Sequence, residues 1–343
     1  MNQSALNLDH LRQLCGEHGI IQFSQGAQPD LESGFCLDDN VRLLVACVDL
    51  TRMGIDSGFA RRAGNDAFDF IEDATAQAPR YHNMMDRDGR FTDRFASPES
   101  IGRLIRALGI VLRDCPRNDP WWPRARRELR RVAAASTALS SEHARAFALL
   151  GFAAAVEAGE TSFRAPLHAG AEAMLFELDR NSGPGWVWPT DQLSYDVARI
   201  PESLIRAGNV LDDAHILRHG MRALEWLAQI VQPGERFEPI GAPQWYPRGG
   251  TRPYYAQQPL EALAMMEAWM AAGEDEHARV AYEWFAGNNL DELEVADFAS
   301  GGCRDGIDGP GKISSNMGAE STLAYVQAAL NLHAIASARE GVA

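Results

Sequence analysis

The sequence predicts an all-α protein, an (α/α)6 toroid in which six outer helices surround six inner ones. Three observations lead to this fold class: a helix start that recurs along the chain, an alternation of apolar and charged helices, and glycines that end the apolar helices. Each recurring start has small or polar residues, usually with a carboxylate, before several apolar turns. These starts lie near residues 38–40, 97–99, 140–142, 194–196, 257–259 and 318–320.

Apolar residues follow the period of an α-helix through nearly the whole chain. Ile101, Leu104 and Leu108, for example, fit the i, i+3, i+7 pattern of one helix face. The pattern predicts twelve helices, at residues 7–18, 38–53, 57–78, 97–115, 119–139, 141–158, 160–182, 193–209, 211–232, 256–272, 275–289 and 316–340.

The even-numbered helices of this series are the more apolar set. Residues 41–48 and 260–266 are apolar on nearly every side, which is typical of buried helices. The odd-numbered helices carry charged stretches such as 124–131, so they belong on the outside. Glycines that permit a left-handed turn connect apolar helices directly to the charged helices that follow. These glycines are Gly54, Gly159, Gly208 and Gly273.

The longer connections all lead from an outer helix into an inner one, so we expect them to gather at one rim of the toroid. They comprise residues 19–37, 79–96, 183–192, 233–255 and 290–315. Long loops on one side of a rigid scaffold usually carry function. No linker or low-complexity tract interrupts the series, and we therefore expect a single catalytic toroid domain over residues 1–343.

The composition limits the partners and the compartment. A formal charge of −15 and a pI of about 5.0 disfavour binding to nucleic acid and to anionic membranes. The chain has no run of 18 apolar residues and no basic, apolar start typical of a signal peptide. Its five cysteines form no Cys-x-x-Cys pair, which fits reduced thiols. We therefore expect a cytoplasmic protein.

Carboxylates are concentrated where the inner helices begin, and free N–H groups and helix dipoles stabilise ionised carboxylates there. Glycoside cleavage needs two carboxyl groups, one as proton donor and one as nucleophile or base. We expect Asp196 to be the acid and Glu320 the base, although each such residue also suits a capping role. Because adjacent helical residues point about 100° apart, only one of two neighbours should face the cavity. The predicted catalytic set is Asp38, Asp39, Glu99, Asp196 and Glu320.

The rim loops also contain aromatic and polar residues that suit a sugar. Flat aromatic faces can contact the C–H faces of sugar rings, and amide, guanidinium, imidazole and carboxylate groups can bind hydroxyls. The same aromatic rings would serve equally to brace the loops. The predicted substrate-binding residues are His82, Asn83, Arg103, Trp186, Trp188, Asp191, Trp245, Tyr255, Gln257, Gln258 and Asn316.

Other chemistries lack their motifs in this sequence. It contains no Gly-x-Gly-x-x-Gly after a strand, no phosphate-binding loop and no Gly-x-Ser-x-Gly elbow. It has no His-Glu-x-x-His, and its nine histidines show no metal-ligand spacing. We therefore expect neither a metal ion nor an organic cofactor.

Several motifs, in order along nearly the whole chain, resemble a bacterial helical-toroid family within the six-hairpin glycosidase-like fold. The resemblance lies at residues 34–42, 81–85, 97–103, 186–188, 193–199, 257–262 and 316–323. It implies an (α/α)6 fold, a carbohydrate ligand and a glycosyltransferase partner on another polypeptide, because such proteins often stand beside or are fused to glycosyltransferases. Two positions depart from the family pattern: Asp191 follows the aromatic motif where a Glu is expected, and Val197 replaces an Asn.

Three functions remain open at this stage. The leading hypothesis is a glycoside hydrolase that cleaves a soluble saccharide by carboxylate acid/base chemistry. The second is a sugar epimerase or isomerase, which would use His82 or His143 to move a proton next to a carbonyl. The third is a glycan-binding module without catalytic activity, in which the aromatic residues matter and the carboxylates do not.

Overall fold

The computed structural model describes residues 6–242 and 244–340, and in this part of the chain twelve α-helices follow one another. We number them α1 to α12. Their bounds are Asp9–Leu14, Leu37–Met53, Ser57–Thr75, Pro98–Asp114, Trp121–Val132, Glu142–Glu157, Arg164–Asn181, Arg199–Leu211, Ala214–Val231, Pro259–Ala272, Asp275–Glu283 and Ala319–Glu340. Short 3-10 turns at Leu31–Ser33, Ala133–Ala138 and Thr161–Phe163 supplement them.

The even-numbered helices form a closed inner ring. Each of α2, α4, α6, α8, α10 and α12 contacts the next, and α12 returns to α2. The odd-numbered helices lie outside, where α3, α5, α7, α9 and α11 each pack on the inner helix before them and α1 packs on α12. This arrangement confirms the predicted (α/α)6 toroid.

The inner ring is tightest between α4 and α6, where glycines allow the two backbones to touch. A Cβ atom placed on Gly109 would lie 2.1 Å from the carbonyl oxygen of Gly151. A Cβ atom on Gly151 would lie 2.2 Å from the carbonyl oxygen of Ile105. No side chain fits at either position, so these glycines fix the distance between the two helices.

Short antiparallel strand pairs lie in the connections between helices. All six pairs lie in the loops that precede inner helices, and none joins another into a larger sheet in the described residues. They are Cys15–Gly16 with Gly19–Ile20, Ser24–Gln25 with Gln28–Pro29, Phe35–Cys36 with Met84–Met85, Gln192–Leu193 with Tyr246–Pro247, Ala296–Asp297 with Gly302–Cys303, and Ile307–Gly309 with Lys312–Ile313.

Four helices differ clearly from the predicted bounds. α5 ends at Val132 instead of residue 139, because the chain continues as the 3-10 turn Ala133–Ala138. α1 covers only Asp9–Leu14, because the chain turns into a strand at Cys15. α8 begins at Arg199, and the expected start at residue 193 is wrong, since Leu193 pairs in a strand and Asp196 has a φ of +49°. α11 ends at Glu283 because the next residues form turns rather than continuing the helix.

The apolar core fills the space between the inner and outer rings, while charged side chains of the inner helices point toward the axis. Leu44 of α2 and Phe68 of α3 are both fully buried in this core. Arg42, Arg103 and Arg199 instead line a narrow cavity on the axis. Among the residues described, no helix has the length and apolarity needed to cross a lipid bilayer.

Candidate active site

A pocket of about 380 Å³ opens at the rim where the inner helices begin, and we call it the mouth pocket. Its volume lies near the lower end of the roughly 300–1,000 Å³ typical of small-molecule sites. The starts of α2, α4 and α12 provide most of its charged groups, and the rim loops provide Asp305 and most of the uncharged lining. Its lining residues are Gln22, Phe23, Cys36, Asp38, Asp39, Arg42, Asn83, Met84, Arg103, Gln258, Asp305, Gly318, Glu320 and Ser321.

Asp38 is held as an ionised carboxylate by groups from three directions. It accepts hydrogen bonds from Arg103 Nη1 at 3.0 Å, from Ser100 Oγ at 3.0 Å and from Asn83 Nδ2 at 3.2 Å. Burial alone raises the pKa of Asp38, but the cations Arg103 and Arg42 and the hydroxyl hydrogen bond outweigh it. The pKa of Asp38 therefore lies below its ordinary value.

Asp39 and Glu320 bind the two terminal nitrogens of one guanidinium. Arg42 Nη1 lies 2.9 Å from Asp39 Oδ1, and Arg42 Nη2 lies 2.6 Å from Glu320 Oε2. The Asp39 side chain is 6 % exposed and that of Glu320 is 39 % exposed. Burial raises the pKa of Asp39 to about 6, and Glu320 adds to this rise while Arg42 opposes it. The two carboxyl groups therefore occupy unlike environments in one pocket.

The axis narrows below the mouth pocket to a cavity of about 30 Å³, which we call the axial cavity. Asp196 lines it with its carboxylate 3.2 Å from Arg199 Nε. The backbone N–H of Asp196 donates to the buried carboxyl group of Glu261. Burial and the adjacent Asp196 raise the pKa of Glu261 well above its ordinary value, and the backbone hydrogen bonds only partly oppose this.

Ion pairs close the lower end of the axial cavity. Glu267 of α10 accepts from Arg106 Nη2 at 2.7 Å and from Arg199 Nη1. Beyond this cluster lies a second cavity of about 330 Å³, where the inner helices end. Its charged lining residues form ion pairs with one another, such as Arg52 with Asp49 at 3.0 Å.

Glu99 and His143 lie in the wall beside the mouth pocket and do not line it. The Glu99 carboxylate accepts a hydrogen bond from Ser141 Oγ, the cap of α6. The imidazole of His143 is 4 % exposed and stacks on Tyr195 with 4.6 Å between ring centroids. Burial lowers the pKa of His143, with Glu142 acting in the opposite direction.

Of the predicted binding residues, the structure places three in the mouth pocket: Asn83, Arg103 and Gln258. The side-chain amide of Asn83 makes two hydrogen bonds with Asp38: its Nδ2 donates to Oδ2 of Asp38 at 3.2 Å, and its Oδ1 accepts from the backbone N–H of Asp38 at 3.2 Å. His82 instead braces the rim, stacked on Phe91 and with its Nδ1 3.1 Å from the carbonyl oxygen of Asp93.

Two predicted aromatic platforms are buried and present no face to a ligand. Trp186 is 3 % exposed and Trp188 is 1 % exposed, and both pack with Trp226 of the outer helix α9. The expectation that these rings bind substrate is corrected accordingly: aromatic rings in rim loops can stabilise the loops as well as line a site. Trp245 is half-buried, with its ring 6.2 Å from that of Tyr195.

The remaining predicted binding residues lie outside the mouth pocket. Tyr255 donates its hydroxyl to Asp291 at 3.3 Å, and buried Gln257 accepts from Trp284 Nε1 at 2.9 Å. Asn316 accepts from the backbone N–H of Gly26 at 2.9 Å. The Asp191 side chain is 81 % exposed. These contacts hold the loops that surround the site.

Four residues line the pocket although the sequence pattern did not predict them there: Gln22, Phe23, Cys36 and Arg42. A signal for Arg42 exists, because it is the single charge within the apolar stretch 41–48 and follows Asp39 by three residues, on the same helix face. Gln22 and Phe23 lie in a loop whose course the helical periodicity does not specify. Within the described residues, no group of three or more His, Cys, Asp and Glu residues is arranged to hold a metal ion.

No protein-family model and no curated protein matches this chain. Solved structures resemble it in fold. A cellobiose 2-epimerase from Bacillus thermoamylovorans has a TM-score of 0.70 at 11 % identity over 94 % of this chain and 96 % of that chain. A D-mannose isomerase has a TM-score of 0.67 at 10 % identity over 94 % of each chain.

A third structure is an alpha-1,6-mannanase of Salegentibacter in complex with alpha-1,6-mannotetrose. It has a TM-score of 0.63 at 11 % identity over 94 % of this chain and 95 % of that chain. It is an inactive variant in which two consecutive aspartates are replaced by alanine. At these identities the likeness establishes the shared toroid fold, and the chemistry has to be argued from the site.

Proposed function

We propose that the mouth pocket binds a saccharide and that Asp39 and Glu320 cleave a glycosidic bond in it. The observation that carries this proposal is the pair of unlike carboxyl groups on the guanidinium of Arg42. A glycosidase needs one carboxyl group that protonates the leaving oxygen and another that acts as nucleophile or activates water. Asp39 suits the first role because burial raises its pKa to about 6. Glu320 suits the second because its side chain is open to the pocket.

Asp38 and Asp196 take supporting roles in this proposal. Asp38 remains ionised between Arg103 and Asn83, where it can accept hydrogen bonds from sugar hydroxyls but has no proton to donate. Asp196, which the sequence analysis assigned as the acid, faces the axial cavity and is paired with Arg199. We therefore assign the proton donor to Asp39 rather than to Asp196.

Epimerisation and isomerisation are favoured less, although several proteins of similar fold carry those names. Such reactions move a proton next to a carbonyl and commonly use histidine as acid or base. None of the described residues that line the mouth pocket is a histidine. His82 stacks on Phe91 in the rim and His143 stacks on Tyr195 in the wall, and neither ring lines the mouth pocket.

A turnover assay with matched variants tests the proposal. Wild-type protein is incubated with alpha-1,6-mannotriose and with cellobiose, and products are identified by NMR. We expect shorter sugars to appear and both D39N and E320Q to lower the rate by roughly 100- to 10,000-fold. D191N, which changes an exposed rim carboxylate outside the pocket, should leave the rate unchanged.

Two results would overturn the proposal. One is a rate that stays at the wild-type level in both D39N and E320Q. The other is formation of an epimer or ketose instead of shorter sugars, with loss of that activity in H82A or H143A, which would establish the second hypothesis. Saccharide binding measured by calorimetry without any product would instead identify a glycan-binding module.

A further inference from the structure

We propose that Phe23 and Gln22 form a second sugar-binding subsite of the mouth pocket, so that the substrate is an oligosaccharide of at least two linked sugars. The inference rests on the proposed function, because it places the first sugar against Asp39 and Glu320. The second sugar then lies on the phenyl ring of Phe23, at the pocket entrance.

Phe23 is the aromatic residue that the mouth pocket presents to solvent. Its side chain lines the pocket, and the residue is 55 % exposed. Single exposed apolar residues are common on protein surfaces, so its exposure alone indicates nothing. The position of Phe23 in the pocket is what indicates sugar binding. A sugar ring has an apolar C–H face and hydroxyls along its edge, and it matches a flat apolar side chain beside several polar groups.

Gln22 supplies an independent observation in the same pocket. Its side-chain Oε1 is buried, and it accepts no hydrogen bond from the described residues. A buried acceptor without a donor destabilises the folded protein, so such an atom calls for a partner, which can be an ordered water or a bound ligand. Gln22 lines the pocket beside Phe23, and rotation of its side chain toward the pocket would bring this acceptor to a hydroxyl of a bound sugar, which is a donor of the right kind.

The backbone that carries both residues is fixed relative to the proposed base. The carbonyl oxygen of Phe23 accepts from Asp30 N at 2.9 Å, and that of Gln22 accepts from Ala319 N at 3.0 Å. Ala319 is the first residue of α12 and directly precedes Glu320. Because this backbone segment is already ordered, little conformational freedom is lost when a sugar binds to it, and this favours affinity.

Binding measurements in a catalytically silent background separate this inference from the proposed function. Calorimetry on D39N compares mannose with alpha-1,6-mannotriose, and glucose with cellobiose. We expect the oligosaccharide of at least one pair to bind more tightly than its monosaccharide. Adding F23A should weaken oligosaccharide binding roughly tenfold and leave monosaccharide binding unchanged, because one aromatic contact is lost.

Matched variants keep the test independent of folding. F176A removes a phenylalanine that is 65 % exposed on the outer helix α7, and it should change no affinity. F23Y retains the aromatic face and should bind as D39N alone does. Q22A should weaken oligosaccharide binding in the same direction as F23A, since it removes the hydroxyl acceptor.

The inference fails if F23A and Q22A bind oligosaccharides as tightly as D39N alone, or if they weaken monosaccharides equally. It also fails if none of the four sugars binds. If oligosaccharides bind through Phe23 but wild-type protein never cleaves them, the subsite stands and the proposed hydrolysis is overturned.

Discussion

The Sγ atom of Cys36 lies 3.1 Å from Oδ2 of Asp39 and donates a hydrogen bond to it. Burial raises the pKa of Cys36 well above its ordinary value, with Asp39 and Asp38 adding to the rise, so the thiol remains a donor at neutral pH. A hydrogen bond to a carboxylate favours its charged form and lowers its pKa. The thiol therefore moderates the effect of burial on the proposed proton donor.

Replacing Cys36 should consequently move the pH profile of cleavage. Asp39 must be protonated to act as acid, so activity should fall as pH rises through about 6. C36A removes the donor and should shift this alkaline limb to higher pH, whereas C36S keeps a hydroxyl donor and should stay near wild type. The measurement is kcat against pH for both variants. Identical profiles for C36A and C36S would contradict a role for the thiol hydrogen.

Asp39 should also make folding stability depend on pH. Its pKa rises from 3.8 to about 6 on folding, so the native state binds more protons between these values and stability falls as pH increases through this window. D39N removes the titrating carboxyl group and with it this pH dependence. Relative to wild type, it should gain up to about 3 kcal/mol between pH 4 and pH 7, measured by urea unfolding. D191N, at an exposed site, should show no such trend.

Arg42 should be required for both structure and activity. R42A leaves the carboxylates of Asp39 and Glu320 without their shared cation, which we expect to destabilise the protein by about 3 kcal/mol and to abolish cleavage. R42K should rescue activity poorly, because one ammonium cannot replace a fork that binds two carboxylates. R90A is the control: Arg90 is 74 % exposed and Asp88 is 60 % exposed, so their ion pair should contribute less than about 1 kcal/mol.

Glu267 should contribute stability that is lost in acid. Burial raises the pKa of Glu267, but Arg199 and Arg106 outweigh it and hold the pKa at about 2, below the ordinary 4.5. This contribution is present above pH 4.5 and disappears as pH falls toward 2. E267Q should therefore lower Tm clearly at pH 7 and less at pH 3. E177Q, in the exposed pair with Arg180, should lower it little at either pH.

The close contact between α4 and α6 predicts a steric effect. G109A places a methyl group 2.1 Å from the Gly151 carbonyl, so the helices must separate and we expect a loss of several kcal/mol, on the order of 3. G58A adds a methyl group near the exposed start of α3, 3.8 Å from Arg62, and should leave stability unchanged or slightly higher. Thermal unfolding of the two variants compares them directly; equal Tm values would refute the contact.

The fold was predictable because the toroid repeats one simple unit. Apolar periodicity identified all twelve helices, and the glycine at position 54, for example, ends α2 in the left-handed turn expected of it, with a φ of +69°. The first residue of a helix is harder to predict from sequence where a strand precedes the helix. The residues before Arg199 continue the helical pattern in sequence, yet Leu193 pairs with Tyr246 in a strand and residues 195–198 form bends and turns before the helix begins.

The site was predictable only in part. Asp38, Asp39 and Glu320 meet in one pocket because each begins an inner helix, and the geometry of a ring brings such positions together. Which rim aromatic residue faces the pocket depends on loop packing, which a single sequence does not reveal. Trp186 and Phe23 both lie in rim loops, but only Phe23 is exposed in the pocket. The cytoplasmic location and the glycosyltransferase partner stay predictions.

The Arg106–Glu267–Arg199 cluster has a consequence for traffic through the molecule. The cluster borders the axial cavity, whose volume of about 30 Å³ is that of one water molecule, so within the described residues the axis is too narrow there for a sugar to pass from one face to the other. A saccharide must therefore enter and leave through the opening of the mouth pocket, and a long polymer cannot pass along the axis of the ring. Under the proposed hydrolysis, we anticipate that the short sugars released in the pocket compete with incoming chains for that opening.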